Sequence, residues 1–513
     1  MLRNILSVGG LTLVSRVVGF LRDILIAAIL GAGPVADAFF VALRLPNHFR
    51  SLFAEGAFNS AFVPVFAERL VRDGRDSARA FAQEVMAVLV SAQLVFLSVV
   101  MVAMPGFIML FAPGFVDDPA KFDLAVLFTR ITFPYLPLIS VVALLGAMLN
   151  SIKRFTAAAA APILLNLCLI GAVVGLTPFM PTAGHALSWG VLGAGVVELV
   201  YLAWDAKRAG MGIGLRWPRL TPGVKHFLRV LGPAALGAGL VQINLFVDTI
   251  IASFLPTGAV SYLYYADRLN QLPLGVIGIA VGTVLLPEMA RQLKSGDNIA
   301  ASDSQNRCME ISLLLTLPAT AVFMTLATPI MVVLFERGAF HAVDAAASAA
   351  TLVAYSFGLP AFVLLKSLIP GFHARQDTVT PVRIALVAVA MNVSLKIVLM
   401  APLAQVGLAL ATSASAWVNV VLLSWALGRR GFLKIDQRLW HRAPRILFAT
   451  LAMGGALAVG QYWAAPALAD PHLFVRAVTL GALCTFGFGV FGGLILLTGA
   501  VSRHDLNRLR RRG

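Results

Sequence analysis

Charged and polar residues stand where lipid would exclude them. The apolar run from Ile5 to Leu30 carries Arg16, Arg22 and Asp23, and the next, from Gly31 to Leu70, carries Asp37, Arg44, His48, Arg50, Glu55 and Asn59. A charge at mid-bilayer costs about 2.5–3.5 kcal/mol on insertion scales, so such side chains are expected to face a polar cavity and to carry function. Asp37, Arg44, His48, Glu55 and Asn59 follow one another at intervals of 7, 4, 7 and 4 residues, which places them on one face of a helix. Pro46 interrupts that helix, and the break allows Arg50 to turn toward the same chamber, whereas an unbroken helix would point it away. On the preceding span, Gly19 offers a bend that brings Arg16 and Arg22 inward. A second reading stays open, in which Arg16 and Arg44 snorkel to headgroups from positions near span ends.

Arg22, Arg50 and Arg268 come from three different apolar spans. Guanidinium groups clustered in a low-dielectric cavity bind an anion, and their forked donors suit phosphate oxygens. The expected ligand is therefore a phosphate or diphosphate head. Asp23, Asp37, Glu55 and Asp267 are the counter-charges that hold these arginines when ligand is absent. Ser261 and Arg268, seven residues apart, share a helix face. Asp248, inside QINLFVDTIIASF, together with Asp377 in the turn Arg375-Gln376-Asp377-Thr378, forms a candidate cation or proton site. The alternative is that Asp248 only pairs with Lys366 or a neighbouring helix. No confident metal site emerges: the eight histidines lack HExxH spacing, and Cys168, Cys308 and Cys484 sit unpaired in apolar stretches as packing residues.

The elements that position these residues are transmembrane helices. Hydrophobic residues make up 59% of the chain and charged ones 12%, and the mean hydropathy is +0.87, too little charge for a soluble surface. The chain is read as an all-α polytopic membrane protein with about fourteen spans of about 20–30 residues each. No cleavable leader is expected, because the first apolar run is too long and leads directly into a second. The net charge of +16 falls in alternate loops, as at Arg69, Arg72, Arg75 and Arg79, at Lys207 and Arg208, and at Arg429 and Arg430. The intervening loops, such as Asp117-Asp118-Pro119, are neutral or acidic. By the positive-inside rule both termini are cytoplasmic, and the positive charge is topological, with no nucleic-acid partner implied.

One unit is used twice. Residues 35–45 (VADAFFVALRL) align without gaps on 259–269 (AVSYLYYADRL), so that Arg44 falls on Arg268 and Asp37 on Ser261. After a one-residue slip, PVFAERL at Pro64 falls on PEMARQL at Pro287. Both copies run in the same direction through the membrane, a parallel repeat about an axis along its normal, and such repeats flank a central path. The expected organisation is an N-lobe of six helices over 1–207, a basic cytoplasmic linker over 208–225 and a second six-helix lobe over 226–430. Residues 431–513 supply two further helices and a basic tail. Span fourteen carries Gly489-x-x-x-Gly493, which either permits close helix packing or reflects membrane composition.

Enzymatic readings fail on their motifs. No GxxxxGK[ST] loop is present, Gly210-x-Gly212-x-Gly214 follows no strand, and Asp117-Asp118 with Asp123 lacks a second acidic cluster. The strings FAEGAF (from Phe53), YYADRL (from Tyr264) and PGFHARQDTVTP (from Pro370) resemble the MurJ/MviN lipid II flippases of the multidrug/oligosaccharidyl-lipid/polysaccharide exporter superfamily. The resemblance runs through the whole chain. It implies a bacterial inner-membrane transporter of fourteen helices, with two lobes around a cavity and a groove lined by the last two helices. It implies movement of undecaprenyl-diphosphate-linked disaccharide pentapeptide to the outer leaflet by alternating access, for peptidoglycan synthesis, cell-wall biogenesis and cell shape. Membrane lipids and cell-wall synthesis proteins are its further expected partners. It carries functional positions onto Arg16, Arg22, Asp37, Arg50, Glu55 and Arg268, with Asn47 and Ser261 also matching and Arg44 standing where some members have Lys. No cofactor is implied; coupling is to membrane potential, sodium or protons, with Asp248 and Asp377 as the acidic candidates. The alternatives are a flippase for another polyprenyl-diphosphate-linked oligosaccharide, or a drug/cation antiporter of the same superfamily.

Overall fold

Long apolar runs with scattered prolines build helices wherever the backbone must satisfy its own hydrogen bonds. The computed structural model describes residues 2–53, 57–214 and 216–500; Glu55 and the basic residues 508–512 lie outside the described residues. Among the described residues the structure is helical apart from its turns, with a single isolated bridge between Arg337 and Phe340.

The chain forms two compact units, one of Met1–Ser261 with Arg337–Phe340, the other of Tyr262–Glu336 with His341–Gly513. The first holds α1 (Leu2–Leu30), α2 (Pro34–Phe53), α3 (Ala57–Arg72), α4 (Gly74–Val102) and α5 (Met104–Phe111). It continues with α6 (Pro119–Thr132), α7 (Tyr135–Ser151), α8 (Thr156–Gly171), α9 (Ala183–Arg208) and α10 (Pro222–Ser253). α11 (Ala259–Lys294) starts there and runs on in the second unit. That unit adds α12 (Asn298–Phe335), α13 (Ala342–His373), α14 (Val379–Arg429), α15 (Gln437–Leu468) and α16 (Leu473–Leu497). α10 packs on α2 and α3 in the first unit.

Among the described residues, nine helical segments are long and apolar enough to cross a membrane. α14 breaks at Ala404 (φ 45°, ψ −127°), just after Pro402, so its 51 residues hold two spans. Joining α2 to α3, α4 to α5 and α6 to α7, and counting α14 twice, gives the fourteen segments expected from the sequence.

Two local devices matter for the site. α2 runs unbroken through Pro46. A proline withdraws the N–H that residue 42 would accept, and the Thr132 hydroxyl donates to the Ala42 carbonyl instead, at 2.9 Å. The helix therefore stays whole where the sequence suggested an interruption. Phenylalanines fasten the elements together: Phe62 stacks between Phe58, Phe66 and Phe81 with centroids 5.4, 5.3 and 5.8 Å away. This ties α3 to α4.

Candidate functional site

Arg50 owes its place to the residue before it. Phe49 sits among the rings of Phe96, Phe107, Phe111, Phe133 and Phe246 at centroid distances from 5.3 to 6.2 Å, which anchors the end of α2. Arg50 then lines a cavity of about 660 Å³ inside the first unit, walled by α3, α7, α8 and α9. Its polar lining is Arg50, Asn59, Tyr135, Asn150 and Glu198. Glu198, on α9, is only 2% exposed; the Tyr135 hydroxyl donates to its Oε2 at 3.3 Å, and the Arg50 charge acts on it. A cation and a buried acid thus line one cavity.

Arg22 is held more tightly. Its Nε and Nη2 donate to Asp23 Oδ1 at 3.0 and 2.7 Å, and its Nη1 donates to Asn166 Oδ1 at 2.7 Å. Asn166 Nδ2 donates in turn to the Ser15 carbonyl at 3.1 Å. α1 is one continuous helix through Gly19, and that glycine supplies room: a Cβ there would lie 3.1 Å from the Asn166 amide. Asn166 directly follows Leu165, which lines the Arg50 cavity. Arg16 on α1 and Arg44, Asn47 and His48 on α2 are half-buried. The Asn47 amide donates to the Leu43 carbonyl at 2.8 Å, and the His48 ring meets Phe246 edge-on at 5.1 Å.

Asp37 is fully buried and serves a helix end. Its Oδ2 accepts the Gly258 N–H at 2.7 Å, and its Oδ1 accepts the Ser261 N–H at 3.0 Å and the Ser261 hydroxyl at 2.7 Å. The first turn of α11 has unsatisfied N–H groups, as every helix does, and Asp37 caps it from a distant part of the chain. The Lys121 ammonium lies 3.4 Å from Asp37 Oδ2 and over the Phe115 ring. A parallel arrangement closes α1. The Ala339 N–H donates to the Ala28 carbonyl at 2.8 Å, and Gly31, at φ +69°, lies so close that a Cβ would fall within 2.4 Å of the Ala339 carbonyl oxygen.

In the second unit, the Arg268 guanidinium lies 4.6 Å from the Tyr264 ring centroid, and Asp267 accepts from Gln271 at 3.4 Å. Asp377 accepts the Val379 and Thr380 N–H groups at 3.1 and 3.0 Å and pairs with Arg430 at 2.5 Å. The Thr380 N–H, then the Thr380 hydroxyl and Arg430, hold its carboxyl well below the usual carboxylate range. Asp248 is half-buried on α10 in the first unit, and Lys366 is exposed on α13 in the second. Among the described residues no three His, Cys, Asp or Glu side chains gather as a metal site would need.

Three contributors escape the sequence reading. Glu198 is a lone acid in the apolar run GVLGAGVVELVYLAW, the same signal that singled out Asp248. Lys121 lies outside any apolar run, and Asn166 carries no charge, so neither announces itself.

A family model described as lipid II flippase MurJ matches residues 26–475. A probable lipid II flippase MurJ of Rhizobium meliloti is 46% identical over 519 aligned residues, covering 100% of this chain and 97% of the relative. A lipid II flippase MurJ of Burkholderia cenocepacia is 36% identical, covering 89% of each. Among solved structures, one of lipid II flippase MurJ in an inward closed conformation matches with a TM-score of 0.79 at 24% identity, covering 95% of this chain and 98% of that one. A multidrug resistance MATE family transporter of the MOP superfamily, in an inward-facing conformation, matches with a TM-score of 0.62 at 15% identity, over 81% of this chain and 94% of that one. At those identities the two structures speak for the fold.

Proposed function

The chain belongs to the lipid II flippase MurJ family, and we propose that it carries undecaprenyl-diphosphate-linked peptidoglycan precursor from the cytoplasmic to the periplasmic leaflet of the inner membrane by alternating access. It is a multi-pass membrane transporter and not an enzyme. The observation that carries the substrate assignment is Arg50 in the cavity that it lines together with the buried Glu198. A guanidinium there offers bidentate donors to a diphosphate, and the carboxylate is the counter-ion that the diphosphate replaces.

Arg22 and Arg268 are the further cations assigned to the same head group, with Arg16, Arg44 and Asn47 as supporting polar groups. Asp23 holds Arg22, Asp267 neighbours Arg268, and Glu55 is kept as an acidic member of the pathway. The pairing of Asp37 with Ser261 and Lys121 is assigned to gating: it is a bond set that closes one end of the path and must break when that end opens. Resetting is assigned to membrane potential, sodium or protons. Moving one elementary charge through 100 mV is worth about 2.3 kcal/mol, enough to bias a two-state equilibrium roughly fifty-fold. Asp248 is the candidate ion-responsive group, with Asp377 as its expected second acid. Cytoplasmic termini follow from the basic loops.

The test in cells is depletion of the protein and measurement of the lipid-linked precursor in each leaflet. Accumulation of the disaccharide-pentapeptide lipid on the cytoplasmic side, relieved by the wild-type chain and not by Arg50→Ala, is the expected result. Accumulation of a different polyprenyl-linked sugar would reassign the substrate.

A further inference from the structure

The first unit carries a second concavity whose lining shares no residue with the Arg50 cavity. It is a groove of about 710 Å³ between α4, α7 and α9, within the size range of small-molecule sites. Its walls are aliphatic, with Met86 and Val90 on α4, Leu138 and Val141 on α7, and Leu199 on α9. Charge enters the lining at one end alone, through Arg79 and Lys207. That end has a built roof. α9 is followed by Gly210 at φ +72°, the Met211 N–H turns back onto the Ala206 carbonyl at 2.9 Å with its side chain fully buried, and Arg79 Nε donates to the Gly212 carbonyl at 2.5 Å.

The dimensions and chemistry select the occupant. From Arg79 to Leu94 the groove follows α4 for fifteen residues, about 22 Å at 1.5 Å per residue. That is the depth of one leaflet's hydrocarbon, about 15 Å, plus a head group. An undecaprenyl chain is much longer than this, whereas a phospholipid acyl chain fits. Near the basic end Arg208 stacks on Trp204 at 4.6 Å and Trp204 on Tyr201, the mixture of cations and aromatics that sits at head-group depth. Arg79 commits one of its five N–H donors to Gly212, so the guanidinium is fixed in place with donors left for phosphate oxygens.

We propose that this groove is a binding site for an anionic phospholipid, with one acyl chain along α4, α7 and α9 and the phosphate on Arg79 and Lys207. Such a lipid ties the roof over residues 210–214 to α4 and α9 and makes the stability of the first unit depend on acidic lipid.

The test is native mass spectrometry of the full chain extracted from membranes of phosphatidylglycerol and phosphatidylethanolamine. The wild type is expected to retain phosphatidylglycerol in preference. R79Q/K207Q should lose that preference by roughly five-fold per cation removed, whereas R429Q/K434Q, which removes two cations elsewhere, should keep it. L138F/V141F, which fills the groove and leaves both cations, should also lose the retained lipid. R79K/K207R should keep it, and together with L138F/V141F carries the test if R79Q/K207Q does not fold. Unchanged preference in R79Q/K207Q overturns the proposal. Unchanged retention in L138F/V141F overturns it too, since adsorption of head groups to surface charge would then suffice. Retention of a polyprenyl diphosphate in place of phosphatidylglycerol assigns the groove to the transported lipid and overturns the phospholipid assignment.

Discussion

Ser261 donates its hydroxyl to Asp37 Oδ1 at 2.7 Å, and the two residues hold the same position in the two repeated segments of the sequence. Equivalent positions thus meet, one as a carboxylate and the other as a hydroxyl at the start of α11. Because Asp37 is fully buried, its contacts are worth more than the same bonds in water. A double-mutant cycle of Asp37→Asn and Ser261→Ala should give a coupling of about 1–3 kcal/mol in thermal or denaturant unfolding. Additive effects would show that the bond contributes nothing specific.

Thr132 should matter only because of Pro46. Thr132→Val leaves the Ala42 carbonyl buried without its donor, at a cost of about 1–3 kcal/mol. Replacing Pro46 with Ala restores the backbone N–H, so Pro46→Ala should rescue Thr132→Val while having little benefit alone. Unfolding of the purified variants reads this directly, and failure of the rescue would mean that Thr132 acts through another contact.

Charges on the first two spans are conspicuous in the sequence because each is expensive in lipid; of these residues Arg50 and Asn59 line the cavity, whereas Asp37 caps α11. The same rule reaches Glu198, the one acid in the apolar run GVLGAGVVELVYLAW, as it reaches Asp248 in QINLFVDTIIASF. Lys121 and Thr132 were not legible. Their roles exist only once α6 lies against α2, and neither residue violates a local rule. Pro46 reads as a break in the sequence because proline removes a helix donor, and nothing in the neighbouring residues reveals that the hydroxyl of Thr132, ninety positions after Ala42, fills the gap.

Gly31 tolerates no side chain. Its φ of +69° and the Ala339 carbonyl oxygen, 2.4 Å from where a Cβ would stand, combine backbone strain with a clash against backbone that cannot rotate away. Gly31→Ala should detach the segment 337–340 from the end of α1, seen as faster amide exchange at Ala339, whose N–H is bonded to Ala28. Gly33→Ala, where a Cβ meets nothing within 4 Å, is the control and should leave that exchange unchanged.

Asp377 makes the turn before α14 sensitive to acid. Its folded value is depressed, first by the Thr380 N–H, so its contribution is present above the ordinary aspartate value of about 4 and is lost as pH falls through the lower folded value. Asp377→Asn should therefore flatten the fall of stability below about pH 4 and change little at neutral pH beyond the loss of the Arg430 pair. An unchanged acid limb would place the titrating group elsewhere.

The central claim is that Arg50, in the cavity it lines with Glu198, receives the diphosphate. Its most direct measurement is leaflet-resolved movement of lipid II in proteoliposomes holding the purified chain under a membrane potential, comparing wild type, Arg50→Lys and Arg50→Ala. The prediction is full movement for wild type, partial movement for Lys, which keeps the charge but loses the bidentate fork, and none for Ala with the protein still folded. Wild-type rates of lipid II movement in Arg50→Ala would contradict it.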